Sequence, residues 1–560
     1  MEINKLTIIA GIIQLDNKPL PKSHTEAFIK HFSLKLNKQF HTLFDNGRSI
    51  HLFHDINNSS TPEITENEKF ITAINGDTLL GDDSLEQSHL INKQIETETL
   101  DSILKSARGV FSGITINKLS SETLLYTDKL GIRPIYIYKK DGLLIYSSLL
   151  KLIEALPFVC LEGSKKGLNE LLSIGFCLGN RTQYKYISRL DQSEHLSISD
   201  NNITFHKYWD WTSVKNLEQT SQSDIKELHS TFQEAVKIRF KQSRSAIAFL
   251  SGGLDSRSIV ASLKELTDNI HTFNFGTKQA QDNVFAKLFA KEINTTHHEK
   301  FFKTLSFPNW SQLISNSINE DLSNIPKKEV WSGDGGSVGL GYVYIDEELT
   351  NLLLNGNASE ACKLFITKNK IEPPVSILKK QHQNESKQCL QESIVSELKT
   401  YLCTSEKAMY FFLLFNDQKR HLDKHFETIH EHKVELILPF FDSEFIEKII
   451  SIPCHDMLYH KLYMRWFNLL PQYARNTPWQ TYPKHEPCPI KIQDDLKYQW
   501  YGKRKSVNTM QDFIIYLGID NETGVKRYFN KPKLTVMMLL HLIKVKDFTY
   551  IVKKLAYLTK

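Results

Sequence analysis

The stretch AIAFLSGGLDSRSIV, Ala246–Val260, decides the fold class. Its first five residues are apolar and end at Leu250, as a strand buried on both faces does. Two glycines then allow a ligand to approach the backbone closely, and Ser256 opens a helix whose first N–H groups have no partner within the helix. A turn of this kind is an anion site suited to phosphate. Asp255 within it would repel a phosphate unless a cation lay between, which implies magnesium. The spacing lacks the lysine of G-x-x-x-x-G-K-[ST], so an ordinary kinase or GTPase loop is not supported.

Outward from this loop, a helix is expected over 223–239, a second strand over 271–275, and a helix over 285–292, with further helices at 393–401 and 443–452. Strands alternating with helices predict a parallel sheet covered on both faces. From about 6 to 199 the text changes to short apolar or alternating runs between turn residues, a strand-rich pattern. The aromatic and Ser/Thr/Gln-rich text at 206–222 reads as a connection. The expected organisation is a domain over 1–220, a second over 221–485, and a basic helical extension over 486–560.

Composition limits the function classes. Of 560 residues, 41% are hydrophobic and 24% charged, as in an ordinary globular protein. Lys and Arg number 69 against 64 acids, too small a surplus to indicate a nucleic-acid partner. Seven scattered cysteines with no C-x-x-C pair suit neither a disulfide framework nor a zinc knuckle. The apolar N-terminal run is short and broken by Gln14 and Asp16, so a cytoplasmic protein is expected.

The Ser-Gly-Gly-x-Asp-Ser loop resembles the pyrophosphatase loop of enzymes that cleave ATP between the α and β phosphates. Three more segments resemble the asparagine synthetase family in the family's order. They are YTDKLGIRPIYIY, Tyr126–Tyr138, similar to a hairpin of the N-terminal domain; HTFNFG with Asp282 and THHE, His271–Glu299; and ILPFFDSEFIEKIISIP, Ile437–Pro453. YISRL and YWDW add to these, and the resemblance covers about residues 5–480.

The resemblance implies an α/β fold: an N-terminal Ntn-hydrolase-like layered domain, then an adenine-nucleotide alpha hydrolase-like (PP-loop) domain with a parallel sheet and added helices. It implies ATP and Mg2+, with adenine near Leu250, Phe275 and Gly276, phosphates at Ser251, Gly252, Gly253, Asp255 and Ser256, and magnesium on Asp255. The family's S-G-E-G-[AS]-D-E motif appears as Ser332-Gly333-Asp334-Gly335-Gly336-Ser337-Val338. Asp334 stands where the family has its catalytic Glu, and Ser337 where it has a magnesium-holding Asp, with Asp346 as a substitute carboxylate. Lys461 and Arg465 match a K-x-x-x-R spacing after the P-F-x-D segment, and the resemblance makes them catalytic. His297, His298 and Glu299 read as structural and Asp282 as a pocket residue.

In the family the N-terminal domain is a glutaminase beginning Met-Cys-Gly-Ile. Here the matching text is Ala10-Gly11-Ile12 with residues before it, so neither the thiol nor a free amine is expected. Asn75-Gly76-Asp77 resembles the family's N-G-E turn. The resemblance then points to members that keep this domain as scaffold, such as beta-lactam synthetases and lasso-peptide cyclases. The implied reaction is ATP-dependent amide formation, releasing AMP and pyrophosphate, between a small-molecule or peptide carboxylate and ammonia or an amine. The other readings are a non-catalytic nucleotide-binding scaffold and a full glutamine-dependent asparagine synthetase. Self-association as a homodimer is left open. The tail over 526–560 carries nine basic residues and one acid. It reads first as a terminal helix packed on the domain, because Val536–Ile543 is apolar nearly all round, and second as a membrane-surface contact.

Overall fold

The computed structural model describes residues 7–16, 18–36, 41–55, 64–81, 87–199, 202–241, 243–276, 280–301, 310–323, 329–341, 344–373, 375–481, 484–491, 496, 509–517, 528–555 and 558. The residues preceding Thr7 and the start of the basic tail at 526–527 lie outside them.

Residues 7–207 build two six-stranded antiparallel sheets. In the first, the order is Ile187–Arg189, Tyr136–Lys140, Leu143–Ser147, Thr7–Gln14, Ser49–Asp55, His41–Asp45. In the second it is Asn202–Lys207, Glu194–Ser199, Thr123–Thr127, Val110–Asn117, Phe70–Asp77, Ile64–Glu66. Strand alternation sorts the side chains. Ile9 and Ile13 face the second sheet and meet a core that includes Ile71, Ile114, Leu125 and Leu196. Ile8, Ala10 and Ile12 face the other way, into the core that holds Phe28 and Phe32 of helix Lys22–Leu36. Helices Gln87–Gln94 and Leu100–Ser106 cover the outer face of the second sheet through Ile91, Leu100 and Ile103.

The Tyr126–Tyr138 segment is not a hairpin. Thr123–Thr127 belongs to the second sheet and Tyr136–Lys140 to the first, so the chain crosses between sheets here. The Asp128 carboxylate organises the crossing by accepting the N–H groups of Phe111, Leu130 and Ile132. The true hairpin follows, Tyr136–Lys140 with Leu143–Ser147. Its turn holds Asp141 and Gly142 at φ 51° and 77°, the left-handed pair that a two-residue loop requires.

After helix Gln222–Phe240 comes the five-stranded parallel sheet, in the order Thr296–Phe301, Ile270–Gly276, Ala246–Phe249, Glu329–Trp331, Glu435–Ile437. Ala246–Phe249 is its central strand, and helices Leu254–Lys264 and Gln281–Glu292 follow the first two strands in the chain. Expected element positions agree to within a few residues except at 393–401, where the helix is the longer Lys380–Thr400.

Buried ion pairs lock the antiparallel layers to the parallel sheet. Asp442, fully buried, accepts from Arg108 at 3.0 Å and Arg239 at 2.8 Å, and caps helix Ser443–Ser451 through the N–H groups of Glu444 and Phe445. Arg133, also buried, pairs with Glu435 at the edge strand, bonds Asn75, and lies 4.4 Å from the Phe426 ring centre. Asn75 and Gly76 thus sit inside strand Phe70–Asp77 as the seat of Arg133 rather than in a turn.

The tail helix departs from the reading of a wholly buried element. Helix Lys531–Leu542 buries Leu534, Met537, Met538 and His541, while Val536, Leu539 and the following Ile543 are exposed. A helix lying on a surface buries one face only, whatever its sequence offers on the other.

Candidate nucleotide site

The site forms where the central strand ends. Leu250 is buried, its carbonyl accepts the Asn274 amide at 2.7 Å, and the chain turns through Ser251-Gly252-Gly253 into helix Leu254–Lys264. The helix opens at Leu254, two residues before Ser256, with Gly253 as a cap that supplies no side-chain bond. Its free N–H groups and their dipole therefore face the turn.

The loop amides already have partners. Ser251 N–H donates to Ser256 Oγ at 2.9 Å, Gly253 N–H to Ser251 Oγ at 3.2 Å, and Gly252 N–H to Asp282 Oδ1 at 3.3 Å. Hydroxyls that can rotate hold two of the three, so an anion can take their place without leaving a donor unpaired. Four glycines keep the space clear. A Cβ on Gly252 would lie 2.8 Å from Asp282 Cα, and one on Gly333 2.6 Å from the Ser256 nitrogen. One on Gly336 would lie 2.7 Å from Asp255 Cγ, and one on Gly276 2.3 Å from Asn283 Oδ1.

Asp255 is the centre of this group. Ser337 Oγ donates to its Oδ2 and the Tyr463 hydroxyl to its Oδ1, each at 2.7 Å. Burial raises its pKa above the ordinary carboxylate value, and the two hydroxyl bonds oppose that rise. Ser337 thus lies against the loop Asp, and its hydroxyl bonds the carboxylate where a second carboxylate would repel it. Asp334, two residues from Ser332 and exposed, accepts from Ser332 Oγ at 2.7 Å.

The structure separates the other candidates. Arg465 donates to the carbonyls of Thr220 and Ser221, at the start of helix Gln222–Phe240. Lys461 is exposed at the first turn of helix Lys461–Phe467 and makes no hydrogen bond or ion pair among the described residues. Lys461 and Arg465, four apart, share one helix face. Tyr463 lies on the opposite face, and it is the residue that reaches the loop. Asp346 caps helix Glu347–Leu354 and pairs with Lys368, so it is committed away from Asp255. His297 bonds Thr272, His298 pairs with Asp321, and Glu299 pairs with Lys287, which are structural roles. Asp282 does stand beside the loop, with its pKa pushed up to about 6 by burial.

Other residues here carry no motif. Arg257, fully buried one turn after Gly253, donates to the carbonyls of Ala474, Thr477 and Pro478 at 3.3, 2.7 and 2.6 Å. The same segment returns Gln480 N–H to the Gly252 carbonyl at 3.3 Å. Among the described residues, buried Gln281 Oε1 and Asn283 Oδ1 have no hydrogen-bond partner, and they belong to the helix that touches Gly252 and Gly276. Two unpaired acceptors beside a glycine-lined opening suit a ligand with an exocyclic amine.

A parallel sheet with an anion-receiving turn at the end of its central strand is an arrangement in which α/β proteins receive phosphate-bearing ligands. An asparagine synthase family model matches residues 227–315, which contain that turn, and a glutamine amidotransferase domain model matches 90–209. A Methanocaldococcus jannaschii protein provisionally named glutamine-hydrolysing asparagine synthetase 2 is 28% identical over 257 residues, 42% of this chain and 49% of its own. Bacillus subtilis glutamine-hydrolysing asparagine synthetase 3 is 22% identical, covering 38% of this chain and 39% of its own. The mouse glutamine-hydrolysing asparagine synthetase is 29% identical, covering 35% and 36%. The chain therefore spans about half or less of the length of these relatives. In both matched regions the chain is similar to asparagine synthetases.

Proposed function

We propose that the chain is an ATP-dependent carbon–nitrogen ligase that activates a carboxylate as its adenylate and joins it to ammonia or an amine without hydrolysing glutamine. The observation that carries the reading is the Asp255 cluster at the mouth of the Ser251–Ser256 turn, held by Ser337 and Tyr463. The first step is attack of a substrate carboxylate oxygen on the α-phosphorus, breaking its bond to the bridging oxygen and releasing pyrophosphate. In the second, the amine nitrogen attacks the acyl carbon, gives up a proton, and AMP leaves with the electrons of the C–O bond.

The chain's residues have distinct parts. The amides of residues 251–253 and the start of helix Leu254–Lys264 bind phosphate oxygens. Asp255 with those oxygens would hold magnesium, whose charge neutralises the departing pyrophosphate. Tyr463 and Ser337 orient Asp255. Gln281 and Asn283 fit the purine amine, and Asp334 and Lys461 remain the candidates nearest in sequence for the reacting centre.

What supports the absence of glutaminase chemistry is the setting of residue 10. Ala10 is fully buried in mid-strand between Leu52 and Ser147, with a methyl group where a nucleophile is needed. A Cβ on the neighbouring Gly11 would lie 2.4 Å from the Tyr146 ring, so that aromatic fills the space beside the strand. The test is nucleotide product analysis with a metabolite extract as acceptor source, comparing wild type with Asp255→Ala. Extract-dependent AMP that disappears in the variant supports the ligase. ADP as product would sink the adenylation step, and no difference between the two proteins would favour a nucleotide-binding scaffold.

A further inference from the structure

The C-terminal helices present a face that the nucleotide site does not use. Helices Thr509–Leu517 and Lys531–Leu542 pack side by side. Thr509 bonds the Leu542 carbonyl, Asp512 pairs with His541 at 2.8 Å, and the Tyr516 hydroxyl meets Thr535 at 2.7 Å. Low numbers on one helix meet high numbers on the other, so the pair is antiparallel.

Each helix leaves an apolar stripe in solvent. Met510, Ile514 and Leu517 are 58%, 60% and 61% exposed, and Val536, Leu539 and Ile543 are 55%, 45% and 65% exposed. At about 100° per residue, both stripes lie roughly 120–130° round from their helix's contact line, in the same rotational sense. Antiparallel helices reverse that sense in space, so the stripes fall on the same side of the pair and form one surface. Six large apolar side chains together make a patch on the order of several hundred Å², at the upper end of what a soluble monomer shows.

The charges beside it select the occupant. Lys533 is exposed on the flank of the second stripe, away from the neighbouring helix, and exposed Lys531, Lys544 and Lys546 lie at the ends of the stripe. The one acid on the described part of these two helices, Asp512, is taken up by His541. An apolar stripe with a lysine border matches a bilayer interface, where side chains enter the acyl boundary and ammonium groups meet lipid phosphates. A second copy of the chain matches less well, because a two-fold contact through this face sets the same lysine rows near each other. Among the described residues no helix is long and apolar enough to cross a membrane, so the contact would be peripheral.

We propose that this two-helix face docks the protein on an anionic membrane surface. The experiment is vesicle co-sedimentation of the full chain with phosphatidylcholine vesicles, with and without phosphatidylglycerol, at low and high salt. Binding is expected with phosphatidylglycerol and to fall with salt. Leu539→Ser/Ile543→Ser should weaken it roughly tenfold or more, and Lys533→Glu/Lys544→Glu should remove the preference for anionic lipid, each lysine contributing roughly fivefold. Both variants alter exposed positions remote from the loop, so unchanged ATP binding serves as the folding control. Absence of vesicle binding would overturn the proposal, as would binding that neither variant changes. A concentration-dependent dimer by light scattering, lost in Leu539→Ser/Ile543→Ser without any vesicle binding, would assign the face to a second copy instead.

Discussion

Replacing Arg257 by leucine tests whether the segment after Pro471 is held over the phosphate loop by one buried cation. The guanidinium is fully buried, stacks 5.2 Å from the Phe289 ring centre, and donates to three backbone carbonyls. Burial lowers its pKa to about 10, so it remains charged at neutral pH. Leucine fills part of the volume but leaves the carbonyls of Ala474, Thr477 and Pro478 without donors. An orphaned buried acceptor costs about 1–3 kcal/mol. Relief from burying the charge offsets part of the sum, and some carbonyls can turn toward water because Asn476 is exposed. A net loss of about 3–5 kcal/mol follows. The effect should be local first: hydrogen exchange across 471–480 rises, the Gln480 amide that bonds Gly252 loses protection, and ATP affinity falls with it. Urea unfolding monitored beside exchange gives the magnitude. A stability change under about 1 kcal/mol with unchanged exchange over 471–480 would refute the reasoning, since three lost bonds of this kind cannot be that cheap.

Three other outcomes are expected. Purified protein should release no glutamate from glutamine, and Ala10→Cys should not restore release, because a thiol in mid-strand has no amine of its own to act as base; glutamate production by either protein, measured enzymatically, would contradict this. Asp442→Asn should cost about 3–5 kcal/mol, because Arg239 loses the carboxylate it pairs with in a buried setting, and Asp442→Asn/Arg239→Met should recover a large part of it in the same unfolding assay. Asp282→Asn should flatten the pH dependence of stability. With the native pKa near 6 and a reference value of 3.8, the native state holds the extra proton between those values, so wild-type stability falls as pH rises through that window. The variant should be more stable than wild type by up to about 3 kcal/mol above pH 6, and equal stability there, measured by urea midpoints at pH 4 and 7.5, would remove Asp282 from the buried-carboxylate account.

The parallel sheet and its loop were legible in the chain because their determinants are contiguous. An apolar run, two glycines and a capping position within Ala246–Val260 set a strand, a turn and a helix whose neighbours repeat the alternation. Asp255 and Ser256 follow from that local order, whereas the altered Ser332–Val338 motif is visible only through the resemblance to the family's pattern. The crossing between the two antiparallel sheets was not legible. Its strands lie close in sequence, as a hairpin's do, while the Asp128 carboxylate ties the N–H groups of Leu130 and Ile132 just after it to that of Phe111 on a strand of the second sheet, and pairing with different neighbours sends the two strands to different layers. Tyr463 escaped notice for a similar reason. The K-x-x-x-R spacing draws attention to Lys461 and Arg465, yet the direction a helix faces is set by what it packs on, and packing turns Tyr463 toward the loop and Arg465 toward Ser221. Arg257 and the unpaired acceptors of Gln281 and Asn283 have no spacing rule at all, since their roles depend on backbone brought from more than two hundred residues away or on the lack of a partner. Local chemistry is written along the chain. Which side chains meet across it, and which face of the last helices stays in solvent, was decided by packing between segments far apart in sequence.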